Sequence, residues 1–227
     1  MEIAIVGAGS VGRALATSFS RAGHAVTIAS RDREDAATAA AQTGIRSAAS
    51  NVDAVTGANI VVIAVPFAAS GEAVAREIAG AVRGKIVVDV TNPISPTFDG
   101  LVTEGSSSAA EHFAEWLPGA RVVKAFNTLF ASNQLDPIVD GTQLDGFVAA
   151  DDPEARATVL ELVRSIGLRP IDAGPLRSAR ELEALAWLNI SLQRSLGNSW
   201  RTAWKVVGVP AGALEKGEPV GAGATGR

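Results

Sequence analysis

The chain has 227 residues, 47% of them hydrophobic and 19% charged, which fits one large globular domain with a small appendage. With a net charge of −4, 5% aromatic residues and no Lys/Arg run, it is not expected to bind nucleic acid or an anionic membrane. It has no cysteine, which excludes disulfides and thiolate chemistry and agrees with a cytoplasmic location.

Short apolar runs alternate with helical patterns over residues 1–175. The predicted strands are Glu2–Val6, Ala25–Ala29, Ile60–Val65, Lys85–Val90, Arg121–Ala125, Gly146–Ala150 and Arg169–Asp172. The predicted helices are Val11–Ala22, Arg33–Gln42, Ala69–Ala81, Ala109–Trp116 and Pro153–Ser165. Continuous apolar strands are typical of a parallel sheet that is buried on both faces. Their alternation with helices predicts an α/β fold with a doubly wound, mostly parallel sheet.

The pattern changes after Pro175. Residues 178–205 are predicted to form one long helix, with leucines at helical spacing from Leu182 to Leu196. We expect this leucine stripe to pack against the first domain or against a second copy of the chain. The predicted organisation is therefore a domain over 1–175, a small helical part over 176–210 and a Gly-rich flexible tail over 211–227.

Gly7, Gly9 and Gly12 form the pattern G-x-G-x-x-G between a predicted strand and a predicted helix. The first glycine allows a tight turn, the second lets a pyrophosphate approach the backbone, and the third lets the helix pack closely on the strand. The pyrophosphate would lie at the helix N-terminus, where free N–H groups and the helix dipole favour an anion. The pattern indicates a Rossmann-type dinucleotide-binding domain.

The end of the second predicted strand indicates which dinucleotide binds. An NAD site has Asp or Glu there to accept from the ribose 2′-OH, whereas this chain has Ser30 and Arg31. Arg31 suits a phosphate dianion, and Ser30 and Arg33 could add to the same site. Asp32 is interpreted as the N-cap of the next helix. These residues favour NADP(H).

Three further strands are followed by residues that we expect to surround the nicotinamide, since ligands of open α/β sheets bind beyond the strands' carboxyl ends. These residues are Val65, Pro66 and Phe67, then Asn92 and Pro93, then Asn127 and Thr128. No residue is a certain catalyst; Asn127 and Thr128 are candidates, as amide and hydroxyl groups that could hydrogen-bond a substrate.

Titratable groups with an evident catalytic role are scarce. The chain has no Tyr, which excludes Ser–Tyr–Lys carbonyl reduction, and no residues at metal-ligand spacing. His24 is expected in a surface turn and His112 in a helix. Hydride transfer that needs no strong general acid fits this inventory best, and a flavin or deazaflavin ring is a suitable acceptor.

Six motifs over roughly residues 1–195 resemble the NADPH-dependent reductases of coenzyme F420, a deazaflavin. They read IAIVGAGSVGRALA, VTIASRD, VVIAVPF, VVDVTNPI, VVKAFNTL and LVRSIGLRPIDAGPLRSARELEALAWL. The resemblance implies a homodimeric enzyme that passes a hydride between nicotinamide C4 and deazaflavin C5. It places Ser10 and Val11 at the pyrophosphate, Ser30, Arg31 and Arg33 at the 2′-phosphate, and Pro66, Asn92–Pro93 and Asn127–Thr128 around the nicotinamide.

Two other functions stay open at the level of sequence. One is a redox sensor that binds NADP(H) without turnover. The other is a small carbonyl or imine reductase, although only about 50 residues follow Pro175, fewer than the roughly 100–150 of a typical second domain.

Overall fold

The computed structural model describes residues 1–103, 105–210 and 212. The strands are β1 (Glu2–Val6), β2 (Ala25–Ala29), β3 (Arg46–Ser47), β4 (Ile60–Ile63), β5 (Ile86–Asp89), β6 (Arg121–Ala125), β7 (Ile138–Val139), β8 (Thr142–Gln143), β9 (Asp145–Ala150) and β10 (Arg169–Asp172). The α-helices are α1 (Ser10–Arg21), α2 (Arg33–Thr43), α3 (Asn51–Thr56), α4 (Glu72–Ile78), α5 (Ala109–Trp116), α6 (Ala131–Leu135), α7 (Pro153–Ser165) and α8 (Ala179–Leu192). A π-helical turn, Phe67–Gly71, precedes α4, and a 3₁₀ turn, Leu176–Ser178, precedes α8.

The main sheet has the strand order β10-β9-β6-β5-β4-β1-β2-β3. The strands from β6 to β3 run parallel, whereas β9 pairs antiparallel with β6, and β10 runs parallel to β9. The central β1 pairs with both β2 and β4, placing Ile5 beside Ile28 and Val62. This order confirms the predicted doubly wound, mostly parallel fold.

Helices cover both faces of the sheet. On one face Leu15 and Phe19 of α1 and Val159 of α7 pack against alternate strand residues such as Ile5 and Val62. On the other face the intervening strand residues, including Val61 and Val87, contact α3, α4 and α5. Because strand side chains alternate between faces, near-continuous apolar strands give the sheet two buried faces.

The long C-terminal helix predicted over Ser178–Lys205 is wrong beyond Leu192. Gly197, Asn198 and Trp200 have positive φ values of 79°, 53° and 50°, and residues 200–210 have no regular secondary structure. Side chains take over the backbone groups that a helix would pair: Asn189 donates to the carbonyl of Thr202 at 3.1 Å. Gly197 lies in the turn that follows the helix. The predicted flexible tail lies outside the described residues apart from Gly212.

The leucine stripe of α8 splits into two parts. Leu182 is buried and Leu185 is half-buried, packing with Phe147 against the Rossmann sheet. The leucines farther along, Leu188, Leu192 and Leu196, remain 46%, 36% and 49% exposed. The expectation of packing against the first domain is therefore met only by the start of the stripe.

Candidate functional site

The glycine loop joins β1 to α1 at the carboxyl edge of the parallel strands. Gly7 has φ +116°, and a Cβ at Gly7 would lie 2.3 Å from the carbonyl oxygen of Ala64. A Cβ at Gly12 would lie 2.0 Å from the carbonyl oxygen of Gly7. A Cβ at Gly9 would meet nothing within 4 Å in the described residues, so the space beside it is open. The geometry matches the separate roles that the sequence suggested for the three glycines.

The first cavity, of about 630 Å³, lies along the loop and the end of β2. It is lined by Gly7, Gly9, Ser30, Arg31, Arg33, Val65 and Pro66, all predicted site residues, together with Ala49, Asn51, Val74, Glu77 and others. Arg31 and Arg33 are exposed, and neither forms an ion pair within residues 1–103, 105–210 and 212. The end of β2 thus presents two guanidinium groups to this cavity, which suits a phosphate dianion.

Asp32 is the N-cap of α2, as the sequence indicated. Its Oδ1 accepts a hydrogen bond from the backbone N–H of Glu34 at 2.9 Å. Asp35, in the first turn of α2, lies 3.6 Å from a guanidinium nitrogen of Arg13. The acidic residues beside Arg31 therefore have structural partners, which removes the apparent signal for an NAD-type ribose contact.

The second cavity has a volume of about 440 Å³, and Ser10, the residue after Gly9, is one of the residues that line it. Its lining comes from the start of α1, the residues that follow β5 and β6, the segment into α6, the second half of α8, and Trp200. The lining residues are Ser10, Val11, Asn92, Asn127, Thr128, Leu129, Phe130, Ala131, Ser132, Ala186, Asn189, Ile190 and Trp200. None of these residues is charged or titratable near neutral pH. A neutral, planar ligand held by apolar and amide contacts fits such a lining.

Asn92 and Asn127 form a reciprocal amide pair at the edge of this cavity. Asn92 Nδ2 donates to the carbonyl oxygen of Asn127 at 3.0 Å, and Asn127 Nδ2 donates to Asn92 Oδ1 at 2.9 Å. Asn127 Nδ2 also donates to the carbonyl of Leu182 at 3.1 Å, while its buried Oδ1 has no partner within the described residues. The Asn127 amide nitrogen therefore holds α8 against the strand ends, and its oxygen is the atom left for another group.

Three predicted site residues line neither of these cavities. Gly12 is buried against Gly7. Pro93 is buried, with its carbonyl accepting from the N–H of Val102 at 2.7 Å. Phe67 turns away on the π-helical turn and lines a separate cavity with His112 and Trp116. Pro93 and Phe67 shape the loops beside the site.

The two histidines also lie outside the two cavities. His24 precedes β2, at the opposite edge of the sheet, with Nε2 2.9 Å from Ser165 Oγ, and burial lowers its pKa. The His112 ring stacks on Trp116 at 5.5 Å between centroids. The geometry supports the structural interpretation of both residues.

A buried ion cluster lies behind the second cavity, and the sequence did not reveal it. Lys124 of β6 is fully buried, with Nζ 2.8 Å from Asp89 Oδ2, 2.7 Å from Glu183 Oε1 and 2.6 Å from the carbonyl of Thr91. Glu183 also accepts from the N–H of Ala109 at 3.0 Å. The cluster therefore ties α8 to β5, β6 and α5; apolar neighbours around Lys124 and the D in VVDV were its only signals.

Burial and charge act in opposition within this cluster. Burial alone would lower the pKa of Lys124, but the charges of Asp89 and Glu183 outweigh it and hold that pKa above its usual value. Burial raises the pKa of Glu183, and the charge of Asp89 adds to this effect although Lys124 opposes it. One ammonium group thus compensates two buried carboxyl groups, which makes the cation indispensable to the packing.

Comparisons with known proteins agree with this geometry. The family model of coenzyme F420-dependent NADP oxidoreductases matches residues 2–93. The F420-dependent NADP reductase of Methanothermobacter thermautotrophicus is 36% identical over 209 residues, covering 85% of this chain and 89% of the relative.

The chain belongs to the F420-dependent NADP reductase family. A crystal structure from Arthrobacter sp. FB24, provisionally described as an F420-dependent NADP reductase, has a TM-score of 0.83 and 32% identity, covering 91% of this chain and 99% of that one. Metalloreductase STEAP3 of Rattus norvegicus is 32% identical over 185 residues, which are 81% of this chain and 36% of that protein. The family similarity to STEAP3 is thus confined to about a third of the larger protein.

Two further findings concern the described residues. They contain no group of three or more His, Cys, Asp or Glu side chains that could hold a metal ion. No helix among them is both long enough and apolar enough to cross a bilayer.

Proposed function

We propose that this F420-dependent NADP reductase family member transfers a hydride between NADP(H) and a deazaflavin, coenzyme F420, with a flavin as an alternative acceptor. The observation that carries the proposal is that two consecutive residues, Gly9 and Ser10, line two different cavities. Gly9 lines the first cavity, which carries Arg31 and Arg33 beside the carboxylates of Asp32, Asp35 and Glu77, and Ser10 lines the uncharged second cavity. A dinucleotide following the loop would bring its nicotinamide to the second cavity's mouth.

In this proposal the first cavity holds the donor. Ser30, Arg31 and Arg33 would hold the 2′-phosphate in this cavity. The N-terminus of α1, with Gly9 in the first cavity and Ser10 and Val11 at the second, would hold the pyrophosphate. Val65 and Pro66 would flank the nicotinamide ribose, and the buried, unpartnered Oδ1 of Asn127 would accept from the carboxamide. These contacts orient the ring and leave C4 facing the second cavity.

The acceptor ring then lies in the second cavity. When both coenzymes are bound, NADPH would supply a hydride from C4 to C5 of the deazaflavin and leave as NADP⁺, and a proton from water would complete the reduced ring at its nitrogen. No side chain lining this cavity is a strong acid or base, so the described residues act by positioning and by excluding water.

A homodimer and a cytoplasmic location complete the proposal. The exposed leucines Leu188, Leu192 and Leu196 give an apolar surface that a second copy of the chain could cover. The absence of cysteine from the sequence agrees with a reducing compartment.

NADPH oxidation measured in parallel with coenzyme F420, FMN, FAD and a ferric chelate tests the proposed function. We expect the highest kcat/KM with F420 and a strong preference for NADPH over NADH. Tight NADPH binding without turnover of any acceptor would instead support a redox sensor and contradict the proposal.

A further inference from the structure

Trp200 is the outer wall of the second cavity. It lines this cavity but not the first one, and 47% of it is exposed. Its ring lies edge-to-face on Phe130, with centroids 5.1 Å apart and planes at 79°. Among the described residues that line this cavity, Phe130 and Trp200 are the two aromatic ones.

The backbone of Trp200 is held in a conformation that a bulky residue rarely adopts. Its φ of +50° lies in the left-handed region, which is unfavourable for a non-glycine residue and persists only where the surroundings impose it. Here the surroundings do so. The Trp200 N–H donates to Gln193 Oε1 at 3.0 Å, and its carbonyl accepts from Ser132 Oγ at 2.6 Å.

The residues that hold Trp200 are themselves fixed. Gln193 is buried, and its Nε2 donates to Thr202 Oγ1 at 2.7 Å. On the far side Asn133 donates to the carbonyls of Arg201 and Thr202 at 3.2 and 3.1 Å. An aromatic side chain on a strained backbone, anchored from both α8 and α6, is therefore presented to the cavity rather than left on a loose tail.

We propose that Trp200 is the residue that binds the ring of the hydride acceptor, because it forms with Phe130 an aromatic wall against which that ring system packs. This inference rests on the proposed function, since it assigns the second cavity to the acceptor. The uncharged lining offers that ring apolar and stacking contacts in place of ion pairs, so a large planar surface is the main source of affinity.

Equilibrium dialysis of F420 and FMN against the full chain, with saturating NADP⁺ so that no turnover occurs, tests the wall directly. Trp200→Leu, which removes the ring and keeps an apolar side chain, should raise the Kd for F420 about tenfold. Trp200→Phe, which keeps a ring, should raise it by less than about threefold. The Kd for NADP⁺, measured alone, should change by less than about twofold in both variants.

Trp187→Leu is the matched control, because Trp187 is a half-buried tryptophan of α8 that lines neither cavity. It should leave all three dissociation constants near those of the wild type. If Trp200→Leu binds F420 and FMN as the wild type does, or loses NADP⁺ affinity equally, Trp200 does not bind the acceptor ring. Circular dichroism confirms that each variant is folded.

Steady-state assays separate this inference from the proposed function. If the wild type reduces F420 and Trp200→Leu has an unchanged KM for F420, the proposed role of Trp200 is wrong and the proposed function stands. If the wild type binds F420 through Trp200 but does not oxidise NADPH, the role of Trp200 stands and the proposed function is wrong. A wild type that binds neither F420 nor FMN would overturn both.

Discussion

The two cavities of this protein are built in different ways. In the first, the predicted site residues follow β1, β2 and β4 closely in sequence, and they include the guanidinium groups of Arg31 and Arg33. The second is uncharged and draws on segments as far apart as Ser10 and Trp200. The donor side is thus a local consequence of the fold, whereas the acceptor side depends on how the C-terminal segment returns to the sheet.

The buried ion cluster holds α8, which lines the second cavity, against the sheet, so breaking it should have the largest effect. Replacing Lys124 by Met should lower the free energy of unfolding by about 3–5 kcal/mol, because it leaves the carboxyl groups of Asp89 and Glu183 buried together without a cation. Urea unfolding followed by circular dichroism at neutral pH measures the loss.

Lys85→Met is the control for that substitution. Lys85 donates from near the surface to the carbonyls of Val55 and Thr56, so its loss should cost about 1 kcal/mol. Equal losses for the two variants would show that the cluster does not hold α8 to the sheet in the way described.

One of the two guanidinium groups of the first cavity can be removed with a single substitution. Arg31→Ala should weaken NADPH binding by about 1.5–3 kcal/mol and NADH binding far less, because the lost contact is to the 2′-phosphate. Isothermal titration with both nucleotides measures the difference.

Arg164→Ala serves as the matched control, since Arg164 is an exposed arginine of α7 that lines neither cavity. It should leave both affinities unchanged. Equal weakening of NADPH and NADH by Arg31→Ala would place Arg31 away from the phosphate.

The leucines that α8 leaves exposed test whether the acceptor side also carries the subunit interface. Leu192→Glu should weaken self-association by about 1.5 kcal/mol or more, because it puts a charge in place of an apolar contact. Light scattering across a range of concentrations measures the shift towards monomer. A wild type that is monomeric at all concentrations would contradict the homodimer.

The sequence named residues that line both cavities, but it did not reveal the buried cluster or the C-terminal path beside the second one. Gly7, Gly9, Ser30, Arg31 and the cap at Asp32 follow one another along strand–turn–helix units, where local spacing determines position. The ion pair between Lys124 and Glu183 could not be predicted from the sequence, because the two residues are 59 positions apart and meet only in the folded protein.

The end of α8 was mispredicted for a related reason. Helical periodicity continues past Leu192, but tertiary hydrogen bonds from Asn133, Asn189 and Gln193 stabilise a different path for the backbone. Periodicity reports local preference, and such long-range partners override it.

Isotope transfer tests the central claim, that a nicotinamide held on the first cavity delivers a hydride to a ring in the second. NADPH carrying deuterium at the transferred C4 position is oxidised in ordinary water with coenzyme F420, and the reduced product is analysed by mass spectrometry and NMR. We predict one deuterium, retained at C5 of the deazaflavin. Loss of the label to solvent, or no reduced deazaflavin at all, would contradict direct transfer between the two cavities.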